Sequence, residues 1–187
     1  MRKVCLIFTT RCCKIQVDIE KGFGMKKLYL DMDGVLSDFE GAFSGHYGPD
    51  TLKNREKKLW TEEWPNFILE KKGFESLPWW PGGQEMVKFA KELAKKGIEV
   101  EILTSSGGEK YHNEVKEQKI AWLKKNGIAF KPNVVPGRKH KKDYAGPGIV
   151  LVDDTLDVIQ AFNKAGGIGI HHKDLGDTIE KIKTLLA

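Results

Sequence analysis

The organisation of this 187-residue chain follows from residues 28–35, which read LYLDMDGV. Two carboxylates, Asp31 and Asp33, come at the end of a short apolar run, and Gly34 follows them directly. A turn needs one Asp or Asn beside its glycine, and nothing in turn chemistry requires the second acid. The run therefore favours metal-assisted phosphoryl chemistry, while a strand-to-loop exit with two solvated acids stays open as the alternative.

Length and composition limit the classes of protein to consider. The chain suits one domain with its own core, or one domain with a small insert. No apolar run approaches the ~20 residues needed to span a bilayer, so we expect no membrane segment. The net charge is +5, but residues 1–24 hold five basic and two acidic residues and account for +3 of it. The remaining +2 makes nucleic-acid binding a weak expectation that is not excluded.

All three cysteines lie in the first segment, at Cys5, Cys12 and Cys13. An odd number crowded at one end is no disulfide framework, and adjacent cysteines lack the spacing of a metal site. This favours a reducing compartment and hence a cytoplasmic protein. We expect residues 1–24 to be an N-terminal extension outside the catalytic fold, with Met25 starting the functional domain.

Past Met25, short apolar runs alternate with helical patterns, which predicts an α/β fold with a parallel sheet flanked by helices in three layers, as in Rossmann-like proteins. The runs are almost continuously apolar, as expected of strands buried on both faces. The predicted strands are Lys27–Asp31, Ile98–Thr104, Asn133–Val135, Ile149–Asp153 and Gly167–Ile170.

Three later segments show helical periodicity, and we expect their apolar stripes to pack in the core and not to form binding surfaces. The stripes are Met86, Ala90 and Leu93; Tyr111, Val115, Gln118 and Trp122; and Leu175, Ile179, Ile182 and Leu186.

Residues 39–78 break the alternation, because they are rich in aromatic residues and contain no convincing strand. We predict a small helical cap there, inserted after the first strand, with residues 25–38 and 79–187 forming the core domain. Its aromatic side chains either form the insert's own core or line a ligand-binding wall.

Polar side chains follow three of the predicted strands, and ligands of open parallel sheets bind beyond the carboxyl ends of the strands. Clustered carboxylates repel one another unless a cation lies among them, and oxygen ligands without His or Cys favour Mg²⁺. The side chains expected to meet there are Asp31 and Asp33, Thr104 and Ser105, and Asp153 and Asp154.

A basic run, residues 138–142, precedes the Ile149 strand. Such a run is usually a solvated loop or a nucleic-acid patch. At this position one of its lysines could instead reach the cleft and neutralise a phosphoryl oxygen.

Together these residues resemble the haloacid dehalogenase-like hydrolase superfamily. Asp31-x-Asp33-Gly34-Val35 matches its first motif, Thr104 its second, a lysine within 139–142 its third, and Asp153-Asp154 its fourth. Within the superfamily the chain is most similar to the 5'(3')-deoxyribonucleotidases, through residues 31–43, 73–78 and 103–105. That family also has a helical insertion directly after its first motif.

The resemblance implies a role for each residue. Asp31 would be the nucleophile that forms an aspartyl-phosphate, and Asp33 the general acid and base. Mg²⁺ would be held by Asp31, the Asp33 carbonyl, and Asp153 or Asp154. Phosphate would be bound by Thr104, Ser105 and a lysine, for which Lys141 leads slightly over Lys142. A nucleotide base would stack on Phe39, with Trp60 or Trp64 from the cap.

The leading hypothesis is therefore a Mg²⁺-dependent phosphatase that acts on nucleoside monophosphates, with deoxyribonucleotides as the first candidates, as the resemblance implies. A polynucleotide 3'-phosphatase and a sugar-phosphate phosphatase remain as alternatives with the same chemistry. A phosphate- or nucleic-acid-binding protein without turnover is a more distant one. The sequence leaves open whether the protein forms a homodimer.

Overall fold

The computed structural model describes residues 24–50 and 62–186 and contains a five-stranded parallel sheet. The order of its strands across the sheet is β3-β2-β1-β4-β5. The observed bounds differ from the predicted ones by at most two residues, and the predicted α/β fold is confirmed. The strands are β1 Lys27–Leu30, β2 Glu99–Ser105, β3 Lys131–Val135, β4 Ile149–Asp153 and β5 Ile168–His171.

The central strand β1 is buried between β2 and β4. Leu30 is in register with Ile102 on one side and with Val152 on the other, and all three side chains are fully buried. The backbone N–H of Asp31 still donates to the Val152 carbonyl, at 3.0 Å. Asp31 therefore leaves the sheet beside the end of β4.

Helices cover both faces of the sheet, because successive side chains of a strand point to opposite sides. Leu28 and Leu30 belong to the larger hydrophobic cluster, together with buried residues of α2, α3 and α5. Tyr29 belongs to a second cluster, which α4 covers. The helices are α1 Phe39–Tyr47, α2 Gly83–Lys95, α3 His112–Lys125, α4 Leu156–Lys164 and α5 Leu175–Thr184.

The predicted stripes of α2 and α3 face the core, while α5 departs from its pattern at the end. This helix stops at Thr184, so Leu186 lies beyond its last turn and is 40% exposed. Leu185 packs against the core instead. The interpretation of α3 as core packing alone is incomplete, because this helix also carries a side chain into the candidate site.

The insert between β1 and α2 contains α1 and further helical turns, and its described residues form no strand. The turns are Glu63–Pro65, Asn66–Glu70 and Gly73–Glu75. Phe43 and Phe67 are fully buried, in the same hydrophobic cluster as Leu30. The insert and this face of the sheet therefore share one core.

Two of the sequence predictions lie outside the described residues: the N-terminal extension, apart from Gly24, and Trp60. Over residues 24–50 and 62–186, every helix is too short or too polar to cross a bilayer.

Candidate active site

A cleft of about 920 Å³ opens at the carboxyl ends of β1, β2 and β4, as the parallel topology predicts. Asp153 is fully buried beneath it, and Lys142 is exposed to solvent. Most of the predicted site residues line the cleft: Asp31, Asp33, Phe39, Trp64, Thr104, Ser105, Lys141 and Asp154.

Lys141 joins two of the acids at the base of the cleft. Its Nζ lies 2.7 Å from Asp31 Oδ2 and 2.6 Å from Asp153 Oδ2, and all three side chains are buried. Burial alone would lower the pKa of the Lys141 ammonium, but the charges of Asp31 and Asp153 outweigh burial and raise it above its ordinary value. Lys141 is thus a fixed positive charge, and its position distinguishes it from Lys142.

Backbone hydrogen bonds fix the orientation of the same two acids. Asp31 Oδ1 accepts from the N–H of Met32 at 2.7 Å, and Asp153 Oδ1 accepts from the N–H of Thr155 at 2.9 Å. Each carboxylate therefore has one oxygen on the backbone and the other on Lys141. This arrangement leaves little freedom for either side chain to rotate.

Asp154 completes a group of three carboxylates that could hold a metal ion. One oxygen each from Asp31, Asp153 and Asp154 lies within 4.8 Å of the others. Asp154 is the most exposed of the three, but partial desolvation of its carboxylate, and then the charges of Asp31 and Asp153, raise the pKa of Asp154 to about 7. A hard divalent cation such as Mg²⁺ fits this all-oxygen donor set and would relieve the repulsion.

Gly34 allows the loop after β1 to approach this group. Its φ is +74°, in the left-handed region, and a Cβ there would collide with the Asp154 carboxylate. The glycine of the sequence motif is therefore required by backbone conformation and by space together.

Asp33 stands at the other side of the cleft and is held by two side chains. Ser37 Oγ donates to Asp33 Oδ1 at 3.1 Å, and Lys119 Nζ donates to Asp33 Oδ2 at 2.6 Å. Lys119 also donates to Thr104 Oγ1 at 2.8 Å. The structure thus joins the second acid of the motif to the end of β2 through a lysine of α3.

The sequence analysis missed Lys119, although the chain carries a signal for it. Lys119 lies four residues after Val115 and three before Trp122, so it falls on the apolar stripe of the predicted helix. A charged residue on a buried helix face needs a partner, and that requirement could have identified it.

Three aromatic side chains line the cleft on the side of the insert. The rings of Phe39 and Phe74 are nearly parallel, with centroids 5.4 Å apart. Trp64 meets Phe39 edge to face at 5.9 Å, and its ring lies against Gly107 of the loop after β2. Phe39 is 5% exposed and Trp64 more so, which makes Trp64 the more accessible ring.

Comparison with solved structures reveals the same fold in known proteins. A haloacid dehalogenase-superfamily hydrolase from Ehrlichia chaffeensis aligns with a TM-score of 0.53 at 13% identity, over 89% of this chain and 100% of that one. A dehalogenase captured in an intermediate complex aligns with a TM-score of 0.51 at 12% identity, over 79% of this chain and 84% of that one.

These similarities confirm the predicted fold, a Rossmann-like parallel sheet flanked by helices. No protein-family model matches the sequence. A search of curated proteins likewise gives no match. The narrower resemblance to deoxyribonucleotidases therefore stays a prediction.

Proposed function

We propose that this protein is a Mg²⁺-dependent phosphatase that hydrolyses phosphate monoesters through an aspartyl-phosphate. The observation that carries the proposal is the arrangement around Asp31. This buried carboxylate is clamped by Lys141, lies beside Asp153 and Asp154, and faces a cleft into which Asp33 also opens. Hydrolysis of a phosphate monoester needs charge neutralisation, a nucleophile and proton transfer, and these residues supply all three.

In the first step, an oxygen of Asp31 attacks phosphorus and the P–O bond to the alcohol breaks. Asp33, in its protonated form, gives its proton to the departing alkoxide. In the second step, Asp33 takes a proton from water, the water oxygen attacks phosphorus, and Asp31 and inorganic phosphate are released. Thr104, Ser105 and Lys141 would bind the phosphoryl oxygens.

The bound Mg²⁺ would supply positive charge that stabilises the phosphoryl oxygens in the transition state. Asp31 and Asp153 or Asp154 would hold it with their carboxylates, and Asp33 with its backbone carbonyl.

Removing the nucleophile tests this mechanism. We expect Asp31→Asn to abolish phosphate release, because an amide cannot form the phosphorylated intermediate, and to preserve the circular dichroism spectrum. EDTA should silence the wild type and added Mg²⁺ should restore it. Turnover by Asp31→Asn near the wild-type rate, or indifference to chelation, would contradict the proposal.

We further propose that the substrate is a nucleoside monophosphate, with a deoxyribonucleotide as the first candidate. The aromatic side of the cleft supports this, since Trp64 offers an accessible ring within reach of a ligand in the cleft. A cavity of about 920 Å³ also lies in the range of small-molecule sites.

Replacing Trp64 tests the nucleotide assignment. Stacking of a base on an aromatic side chain contributes about 1–3 kcal/mol, so Trp64→Ala should raise the KM for nucleotides about 5- to 150-fold. The KM for p-nitrophenyl phosphate should change much less. Trp80→Ala is the matched control, because Trp80 is half-buried and does not belong to the cleft lining. Equal effects on both substrates would make Trp64 a structural residue.

A polyanionic substrate is the second candidate. Arg138 and Lys139 are exposed and line the cleft, so they could meet further phosphates of a nucleic-acid end. A phosphate-release screen over nucleoside monophosphates, sugar phosphates and a 3'-phosphorylated oligonucleotide, with Asp31→Asn as the blank, separates the candidates.

A further inference from the structure

Lys119 is a buried cation that the proposed mechanism does not use. Its side chain is completely buried, and its Nζ donates to Asp33 Oδ2 and to Thr104 Oγ1. The third contact of this ammonium is the Phe74 ring, whose centroid lies 5.0 Å away. Asp33, Thr104 and Phe74 all line the cleft, whereas Lys119 lies behind them.

We propose that Lys119 is a positioning residue for proton transfer, which holds the Asp33 carboxyl group in the orientation from which its protonated form gives a proton to the leaving alkoxide. This inference rests on the proposed phosphatase function. It assigns to Lys119 a role different from that of Lys141, since Lys141 contacts Asp31 and Asp153, whereas Lys119 contacts Asp33 and Thr104.

Two hydrogen bonds on opposite oxygens fix the plane of the Asp33 carboxylate. Ser37 donates to Oδ1 and Lys119 donates to Oδ2, so rotation about the last side-chain bond would break both contacts. Asp33 is otherwise accessible, with 28% of its side chain exposed to the cleft. A general acid must point at the reacting atom, and such alignment is a large part of its effect.

The same ammonium also orients Thr104. Because Thr104 Oγ1 accepts a hydrogen bond from Lys119, the hydroxyl hydrogen of Thr104 points elsewhere and can be donated to a phosphoryl oxygen. Lys119 thereby fixes the distance between a phosphate-binding group and the proton donor. Both groups would act on the same phosphate ester, one on each side of the bond that breaks.

The burial of Lys119 supports a functional reason for its charge. An ammonium without exposure to water is costly unless partners satisfy it, and a methionine would fill this position on the apolar face of α3 without that cost. The partners of Lys119 come from the loop after β1, from the end of β2 and from the insert. All three belong to the cleft.

The dependence of the rate on the leaving group separates this role from a structural one. Phenyl phosphate and p-nitrophenyl phosphate have nearly the same size, but phenoxide is the poorer leaving group and needs the proton more. The quantity to measure is kcat/KM for both esters, because it reports the steps up to departure of the alcohol and excludes the later attack by water.

We expect Lys119→Met to lower kcat/KM for phenyl phosphate about 10- to 100-fold, since small misplacements of an acid cost that much. For p-nitrophenyl phosphate we expect a loss of at most about 3-fold, since little proton donation is needed. Asp33→Asn should shift the ratio of the two values in the same direction. Lys119→Arg keeps the charge and the hydrogen-bond donors, so it should restore part of the kcat/KM for phenyl phosphate. Lys116→Met, at an exposed position of α3, should leave the ratio unchanged.

The ratio is independent of how much of a variant is folded, because both esters are measured on the same sample. An unchanged ratio in an active Lys119→Met enzyme would overturn the assignment of Lys119 and leave the phosphatase function standing. A wild-type protein that cleaves neither ester would overturn the proposed function and this inference with it.

Discussion

Asp154 is held differently from the two acids beside it. Asp31 and Asp153 share the ammonium of Lys141, whereas Asp154 accepts a hydrogen bond from the hydroxyl of Thr155 at 3.0 Å. Burial and the two neighbouring charges therefore raise the pKa of Asp154 to about 7. A cation bound beside Asp154 would lower this pKa again, because it would stabilise the charged carboxylate.

This raised pKa predicts how the stability of the metal-free protein depends on pH. The folded-state pKa of Asp154 lies above its unfolded-state value, so its contribution to stability is complete below about pH 4 and is lost as the pH rises through 7. We expect the melting temperature of the wild type in EDTA to fall between about pH 4 and 7 relative to that of Asp154→Asn, and the difference to level off at higher pH. Saturating Mg²⁺ should remove most of this fall.

Comparison with Asp154→Asn isolates the effect from other titrations. Burial lowers the pKa of His172, so its contribution has the opposite sign and is lost as the pH falls. Both proteins contain His172, and the difference between their melting curves cancels it. Parallel melting-temperature profiles for the two proteins would show that Asp154 does not titrate in this range.

At the scale of residues, the sequence predicts a site best where the polar residues of that site are neighbours in the chain. Asp31, Asp33 and Gly34 lie together, and so do Asp153 and Asp154, so their roles could be predicted before their positions were known. Lys119 is 86 residues away from its partner Asp33, on a helix with other lysines. Only the packing of α3 against the sheet distinguishes it from them.

Among the elements, α3 connects the insert to the sheet. Gln118 Nε2 donates to the carbonyl of Ile68 at 2.7 Å, and Gln118 Oε1 accepts from the N–H of Phe74 at 3.2 Å. One turn later, Trp122 Nε1 donates to the carbonyl of Leu77 at 2.8 Å. The second half of the insert is thus fastened to the helix that also carries Lys119.

Removal of the Gln118 amide should destabilise the fold. Gln118→Ala leaves two buried backbone groups without their partner, and each such group costs about 1–3 kcal/mol, so we expect the free energy of unfolding to fall by about 2–6 kcal/mol. Urea denaturation, monitored by tryptophan fluorescence, measures this loss in the free energy of unfolding. Glu117→Ala, at an exposed position of the same helix, is the control. A loss no greater than that of the control would mean that these hydrogen bonds contribute nothing net.

The elements that could be predicted best are those whose sequence signal lies within the element itself. The bounds of the central strands β1, β2 and β4 came out within one residue, because apolar runs buried on both faces are hard to mistake. The edge strand β3 is mostly half-buried, and its start was predicted two residues too late. The attachment of the insert to α3 was not predictable. Its hydrogen bonds join Gln118 to residues 44 and 50 positions away, and glutamine on a helix carries no sign of such partners.

At the scale of the whole molecule, the part of the chain that the structure describes contributes cleft-lining residues from Asp31 to His171. Met25 is itself buried in the larger hydrophobic cluster, and the next N–H, of Lys26, donates to the Gly148 carbonyl at 2.9 Å. The sheet and both hydrophobic clusters are thus assembled from this part of the chain.

A chain that starts at Met25 should therefore keep its activity and its stability. We expect kcat/KM for p-nitrophenyl phosphate within a factor of about 2, and a melting temperature within about 2 °C, since changes away from the core are usually within ±0.5 kcal/mol. A tenfold loss of activity in the shortened protein would assign residues 2–24 a part in the site.

The order of the strands in the sheet also determines at which stage of protein synthesis the site can form. β1 is synthesised first but lies in the middle of the sheet, between β2 and β4. Asp31 receives its partners Lys141 and Asp153 only after most of the chain has left the ribosome. A product of premature termination before Lys141 would contain Asp31 and Asp33 but neither this ammonium nor Asp153 and Asp154. Every product that ends before β4 therefore lacks two of the three carboxylates of the proposed metal site.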